Sequence, residues 1–294
     1  MSLTRLAGSG VLAATLLLSG CAGQLDDGGD GPAGRYQDPL GLPLEGRSVD
    51  FFLYGAAVDS FMAECMAQAG HEYTVATWDL SLPAVPAYTS LGYPNLDAEL
   101  VRNYGYRAPR DPREIIPPAP LDSAIGVGEE EAYLRAQQEC TDESRGAVPD
   151  IAESANILRR LDSKSREGVL SDGEVASSVD RWRACVTRAD PPLGDPSGGP
   201  DDFRVSVLTA VDARDHPGQV DTMTAKAPAD EIETAMIDVE CRNESGYDTA
   251  YFSAVGEEQE RLVSEYSDAL QEVEQSMRGI QQAINFYVIE GQGR

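Results

Sequence analysis

The sequence predicts a mainly α protein: two pseudo-repeated, disulfide-stapled helical units, a Pro-rich irregular segment and a long C-terminal helix. Three observations predict this class. The cysteines recur in matching surroundings, apolar residues fall three and four apart behind helix-start signals, and the last stretch of chain lacks proline. The implied division is a leader over 1–20, a tether over 21–48, and a first unit over 49–145 that carries the Pro-rich insertion. A second unit over 146–247 and the terminal helix over 248–294 complete the chain.

Met1 to Gly20 reads as a secretory leader, with Arg5 as a short basic region, an apolar run from Leu6 to Leu18, then small residues. The run is too short to cross a bilayer as a helix, which takes ~20 residues. Leu18-Ser19-Gly20-Cys21 has the form of a bacterial lipobox. Cys21 is therefore expected to become an acylated N-terminus, holding the chain at the extracytoplasmic face of the cell membrane. Residues 22–35 are rich in Gly and Asp (Asp26-Asp27-Gly28-Gly29-Asp30-Gly31) and bury almost nothing, as a flexible tether does. The same run resembles part of a calcium loop but lacks the distal bidentate Glu, so a solvated linker is expected and no metal.

About 270 residues follow the leader, enough for one large or two modest domains. The formal charge of −27 repels nucleic acid and anionic headgroups, so neither is an expected ligand. All but two of the 23 basic residues are arginine, the exceptions being Lys164 and Lys226.

With Cys21 assigned to lipid, Cys65, Cys140, Cys185 and Cys241 remain, an even set that reads as two disulfides outside the cytoplasm. Zinc is the rival reading. No two of these cysteines lie at CxxC distance, and His71 and His216 are far apart in sequence. Three pairings are possible on count alone. The contexts discriminate between them: Asp59-Ser60-Phe61-Met62-Ala63-Glu64-Cys65 matches Asp180-Arg181-Trp182-Arg183-Ala184-Cys185 within one residue, and Cys140-Thr141-Asp142-Glu143-Ser144 matches Cys241-Arg242-Asn243-Glu244-Ser245. Two copies of one unit, each closing its own bridge, give Cys65–Cys140 and Cys185–Cys241. In the chain-entropy account each loop contributes roughly 4 kcal/mol.

Each cysteine is expected on a helix. Ser171 or Asp172 caps the helix of Cys185, whose face is Val175, Val179, Trp182 and Val186, and Pro191-Pro192 ends it. Glu129-Glu130-Glu131 and Pro228-Ala229-Asp230-Glu231 place acid at two further helix N-termini. Residues 81–128 hold eight prolines, from Pro83 to Pro120, and cannot form one helix; Tyr88, Tyr93, Tyr104 and Tyr106 point to a segment packed on the body. From Asp248 to Glu290 an apolar stripe runs through Val255, Leu262, Tyr266, Leu270, Val273, Met277, Ile280, Ile284 and Val288. A continuous helix would reach ~60 Å, either lying along both units or projecting in part as a coiled-coil arm.

Trp182-x-x-Cys185, Asn103-Tyr104-Gly105-Tyr106 and Ala235-x-x-Asp238-x-x-Cys241, followed by a long acidic helix, together resemble uncharacterised actinobacterial secreted proteins and lipoproteins over most of residues 50–290. The family pattern has Met and then a Gly-Tyr turn after the third cysteine, where this chain has Val186 and Ala189-Asp190-Pro191. The resemblance implies an accessory role beside an envelope transporter or cell-wall protein, and it carries over no catalytic residue.

The chain contains no GxSxG elbow, HExxH helix, P-loop or GxGxxG. His71 follows Gly70 at an expected helix end, and His216 precedes Pro217 in a polar stretch; neither reads as catalytic. Glu143 and Glu244 are the candidate carboxylate pair for glycoside hydrolysis, although equivalent positions in two copies more often do one structural job. Tyr88, Tyr93, Tyr104, Tyr106 and Trp78 could stack on a sugar or peptide, but packing is the preferred reading. The expected function is thus a non-enzymatic binding or scaffold lipoprotein with an envelope protein partner and no cofactor. The alternative is a cell-wall carbohydrate- or peptide-binding protein, or a hydrolase using Glu143 and Glu244.

Overall fold

Helix starts are set by short acidic caps. In the computed structural model, which describes residues 35–75, 77–79, 81–82, 88–107, 113–115, 129–215 and 227–290, Asp50 accepts from the N–H groups of Phe52 and Leu53 to open α1 (Phe51–Gln68). Asp97 does the same for α2 (Ala98–Tyr104), and Asp172 for α5 (Gly173–Ala189), which settles the choice between Ser171 and Asp172. The other helices are α3 (Glu130–Ala147), α4 (Ala152–Arg166), α6 (Pro200–Asp215), α7 (Ala229–Ser245), α8 (Tyr247–Glu265) and α9 (Ser267–Ile284). One two-residue antiparallel pair, Thr77–Trp78 with Glu114–Ile115, is the exception to a mainly helical fold. The leader, Cys21, the start of the tether and His216 lie outside the described residues. Among the described residues, no helix is long and apolar enough to cross a membrane.

The stapled units are present as paired helices. Cys65 on α1 bridges Cys140 on α3, and Cys185 on α5 bridges Cys241 on α7, with Cα–Cα distances of 5.7 and 5.5 Å. The copies agree around the bridge. Met62 and Trp182, each three residues before their cysteine, are buried, as are Met66 and Val186 immediately after it. Ser144 and Ser245 each turn a buried hydroxyl back onto the carbonyl three residues earlier. Where they differ is informative: Gln137 and Thr141 of the first unit stand where the second has Asp238 and Arg242.

Among the described residues of the Pro-rich stretch, α2 and the Glu114–Ile115 strand are the regular elements, and aromatic residues anchor it. Tyr93 and Tyr106 are buried, Trp78 packs beside Arg113, and Tyr104 alone among these is exposed. Tyr93 donates its hydroxyl to Asp162 at 2.6 Å, and Gln259 donates to the same oxygen at 2.9 Å. Gln259 in turn accepts from the N–H of Leu44. One buried carboxylate on α4 thus gathers the Pro-rich segment, α8 and residues 35–48. This last stretch, expected as the end of a flexible tether, instead forms two 3-10 turns and buries Leu42 and Leu44.

The single long C-terminal helix is corrected to two, α8 and α9, which break at Tyr266 (φ −108°, ψ 27°). Leu262 and Leu270, on either side of the break, are both buried. Tyr266 stays exposed, its ring beneath Lys164 and its hydroxyl accepting from that ammonium at 3.1 Å. The remaining stripe, from Leu270 through Val288, is buried. It lies along the body: α8 packs on α4 and α5, and α9 on α1 and α4.

Candidate functional site

Two buried polar centres shape the second unit. Asp238 on α7, fully buried, accepts from Trp182 Nε1 at 2.8 Å, from Tyr106 Oη at 2.9 Å and from Arg242 Nε at 3.0 Å. The Trp182, Tyr106 and Asp238 motif residues, far apart in sequence, therefore meet at one carboxylate. Burial pushes the Tyr106 phenol well above its ordinary range, and the Asp238 charge adds to that. The second centre joins Arg107 to Glu231 at 2.9 Å and to Asp212 at 3.1 Å. Glu231, in the first turn of α7 as expected, is wholly buried and also accepts from the N–H of Tyr106. Burial raises its pKa, and Arg107 pulls it back. Gly105 makes this possible: its φ is +61°, and a Cβ there would lie 2.7 Å from Glu231 Oε1.

Above these centres opens a cleft of about 600 Å³. Its walls come from segments remote in sequence: residues 37–40, the Thr89–Leu100 stretch, the end of α4, the start of α6, and the junction of α7 and α8. Tyr93, Tyr247, Tyr251 and Phe252 supply aromatic surface, with Tyr247 and Tyr251 stacked at 5.5 Å and Tyr251 edge-on to Phe252. Burial lifts the Tyr251 phenol to about 12, with help from Asp201, and lifts Tyr93 and Tyr247 further.

Three arginines line the cleft: Arg166, Arg204 and Arg242. Arg166 ion-pairs with Asp162 and lies 3.9 Å over the Tyr93 ring. Arg242 is buried among Asp238, Asp248 at 3.0 Å and Asp201 at 3.6 Å. Burial alone would lower its pKa, but Asp238, Asp248 and Asp201 outweigh that and hold it well above the ordinary value. Asp248 is raised by burial, with Arg242 opposing. Among the described residues Arg204 has no ion pair and only a 3.5 Å hydrogen bond, to Tyr88 Oη. Asp38 and Asp97 also line the cleft, and each already caps backbone N–H groups.

The expected carboxylate pair lies elsewhere. Glu143 Oε2 is 3.8 Å from Cys65 Sγ, and Glu244 Oε2 is 3.5 Å from Cys185 Sγ, with Arg188 bridging to Glu244 at 2.8 Å. Both side chains are exposed, each beside the bridge of its own unit, and neither lines the cleft. His71 closes the α1 terminus, donating its N–H to Met66 O after Gly70 (φ +86°), with its ring edge-on to Tyr133. Of the aromatic candidates only Tyr93 lines the cleft, with Tyr88 at its rim through Arg204. Sequence reasoning missed Arg166, Arg204, Arg242 and Asp201. One signal was available: aligning the two units sets Arg242 against Thr141, a charge that the shared scaffold does not need.

No protein-family model matches this chain, and none of the curated proteins or solved structures matches it either.

Proposed function

We propose that this chain is a lipid-anchored extracytoplasmic protein that binds without catalysing, tethered through Cys21 and accessory to an envelope transporter or cell-wall complex. The observation that carries the binding part is the cleft of about 600 Å³, within the range that holds small ligands, with aromatic walls and a few convergent charged groups. The two cystines support an oxidising compartment. The Leu18 to Cys21 pattern supports the anchor. Glu143 and Glu244, lying outside the cleft, lend the hydrolase alternative no support.

The test is fractionation followed by capture. Wild type is expected in the membrane fraction and Cys21→Ala in the soluble one, and detergent extracts of crosslinked cells are expected to yield a specific envelope partner with wild type. Equal partitioning of the two forms removes the anchor; recovery of the same background proteins with both removes the accessory role.

A further inference from the structure

We propose that the cleft binds a neutral saccharide, its hydroxyls accepting from the arginines and donating to the aspartates. The inference deepens the reading of this chain as a binding protein and rests on it. Charge is the first argument. Arg166, Arg204 and Arg242 face Asp38, Asp97, Asp201 and Asp248 across the same space, inside a chain of formal charge −27. An anion entering there meets more carboxylates than guanidiniums, and a cation meets three guanidiniums. A hydroxyl both donates and accepts, so it satisfies either neighbour at no net charge.

The second argument is which groups remain unspent. Asp201 and Arg204 sit three residues apart at the start of α6, on one face. The Asp201 carboxylate is exposed, and its one ion-pair partner is Arg242 Nη2 at 3.6 Å, beyond hydrogen-bond reach. Arg204 spends only its weak bond to Tyr88. Together they offer an acceptor and a donor to adjacent hydroxyls of one ring. Behind them Arg166 Nε, Arg204 Nε and Arg242 Nη2 are buried without a hydrogen-bond partner, a concentration of unmet donors at one place. Small guanidinium rotations toward entering oxygens would give these donors partners.

The third argument is surface. Tyr93, Tyr247, Tyr251 and Phe252 give the apolar area that the C–H groups of a pyranose require, while the tyrosine rings keep polar edges.

The experiment titrates detergent-solubilised full-length protein with glucose, galactose, mannose, arabinose, N-acetylglucosamine, cellobiose and chitobiose. Calorimetry and saturation-transfer NMR report binding, and inorganic phosphate and glycerol 3-phosphate form a second arm. At least one neutral sugar is expected to bind with little dependence on salt. Arg204→Gln and Asp201→Asn should each weaken it roughly tenfold, as the loss of one charge-assisted hydrogen bond does. Arg204→Gln should keep the wild-type melting temperature, because its side chain belongs to neither the Asp238 nor the Glu231 centre. Asp201→Asn removes one of the carboxylates facing buried Arg242 and should lower it slightly, so its effect on affinity is read below the transition. Three results overturn the proposal: no sugar binding, sugar binding indifferent to both variants, or salt-sensitive binding of phosphate in place of sugars. Capture of an envelope partner without any sugar binding sinks this inference alone. Sugar binding without a partner leaves the cleft assignment standing and removes the accessory role.

Discussion

Trp182 Nε1 donates to Asp238 Oδ1 at 2.8 Å, joining α5 to α7 three residues before the cystine that joins them again. Hydrogen bond and disulfide repeat the same connection one helical turn apart, which fixes the rotation of each helix as well as their separation. Tyr106 and Arg242 then attach the Pro-rich segment and the cleft floor to the same carboxylate.

Asp238→Ala leaves three buried donors without their acceptor. The expected loss is about 3–5 kcal/mol, read from urea unfolding. Asp238→Asn keeps an oxygen for Trp182 but removes the charge facing Arg242, so a smaller loss is expected, with a shift in Trp182 emission.

Gly105→Ala places a methyl against Glu231 and demands a left-handed φ of an L side chain. A loss of about 1–3 kcal/mol is expected in the same unfolding measurement. The Arg107–Glu231 pair should loosen with it, seen as faster amide exchange at Tyr106.

The two disulfides should be separable. Replacing Cys65 and Cys140 by Ser, or Cys185 and Cys241 by Ser, is expected to cost about 2–5 kcal/mol in either unit. Only the second pair adjoins the Asp238 centre, so only its loss should red-shift Trp182 fluorescence. Non-reducing peptide mapping should recover Cys65–Cys140 and Cys185–Cys241; a Cys65–Cys185 peptide would contradict the two-unit architecture.

Alkaline titration should divide the tyrosines. Tyr251 is raised by burial to about 12, and Tyr93, Tyr106 and Tyr247 are raised further. A phenol with a raised folded pKa favours folding fully below its ordinary value near 10. For Tyr251 that stability is lost as pH climbs through about 12. Ultraviolet absorbance of phenolate in the native protein should therefore lag behind that in denaturant, with the last tyrosines ionising as the fold opens. Simple ionisation of every tyrosine near 10 in the folded state would refute the burial described for them.

The disulfide pairing was legible because the residues around each cysteine match those of its counterpart in the other unit, and each unit closes its own bridge. The helix start at Ser171 or Asp172 was legible for a local reason, since a cap acts within three residues; the Asp50 and Asp97 caps work the same way but were not read from the sequence. The break at Tyr266 was not legible, because the apolar spacings of three and four run through it without interruption. Asp238 stood in a quoted motif without a partner, since Trp182 and Tyr106 reach it only through tertiary packing. The cleft was illegible for a stronger reason. Its walls are drawn from five stretches between Gln37 and Phe252, and no local pattern records that the start of α6 faces the end of α4.

Arg35 and Tyr36 both reach Glu260 on α8, and the Tyr36 ring lies on the bare backbone of Gly256, where a Cβ would collide with it. Gln37 through Leu40, immediately after, are cleft wall. The chain is therefore pinned to α8 one residue before it becomes cleft wall, so a substitution that loosens the clasp, such as Gly256→Ala, would disturb the cleft rim without touching a lining residue.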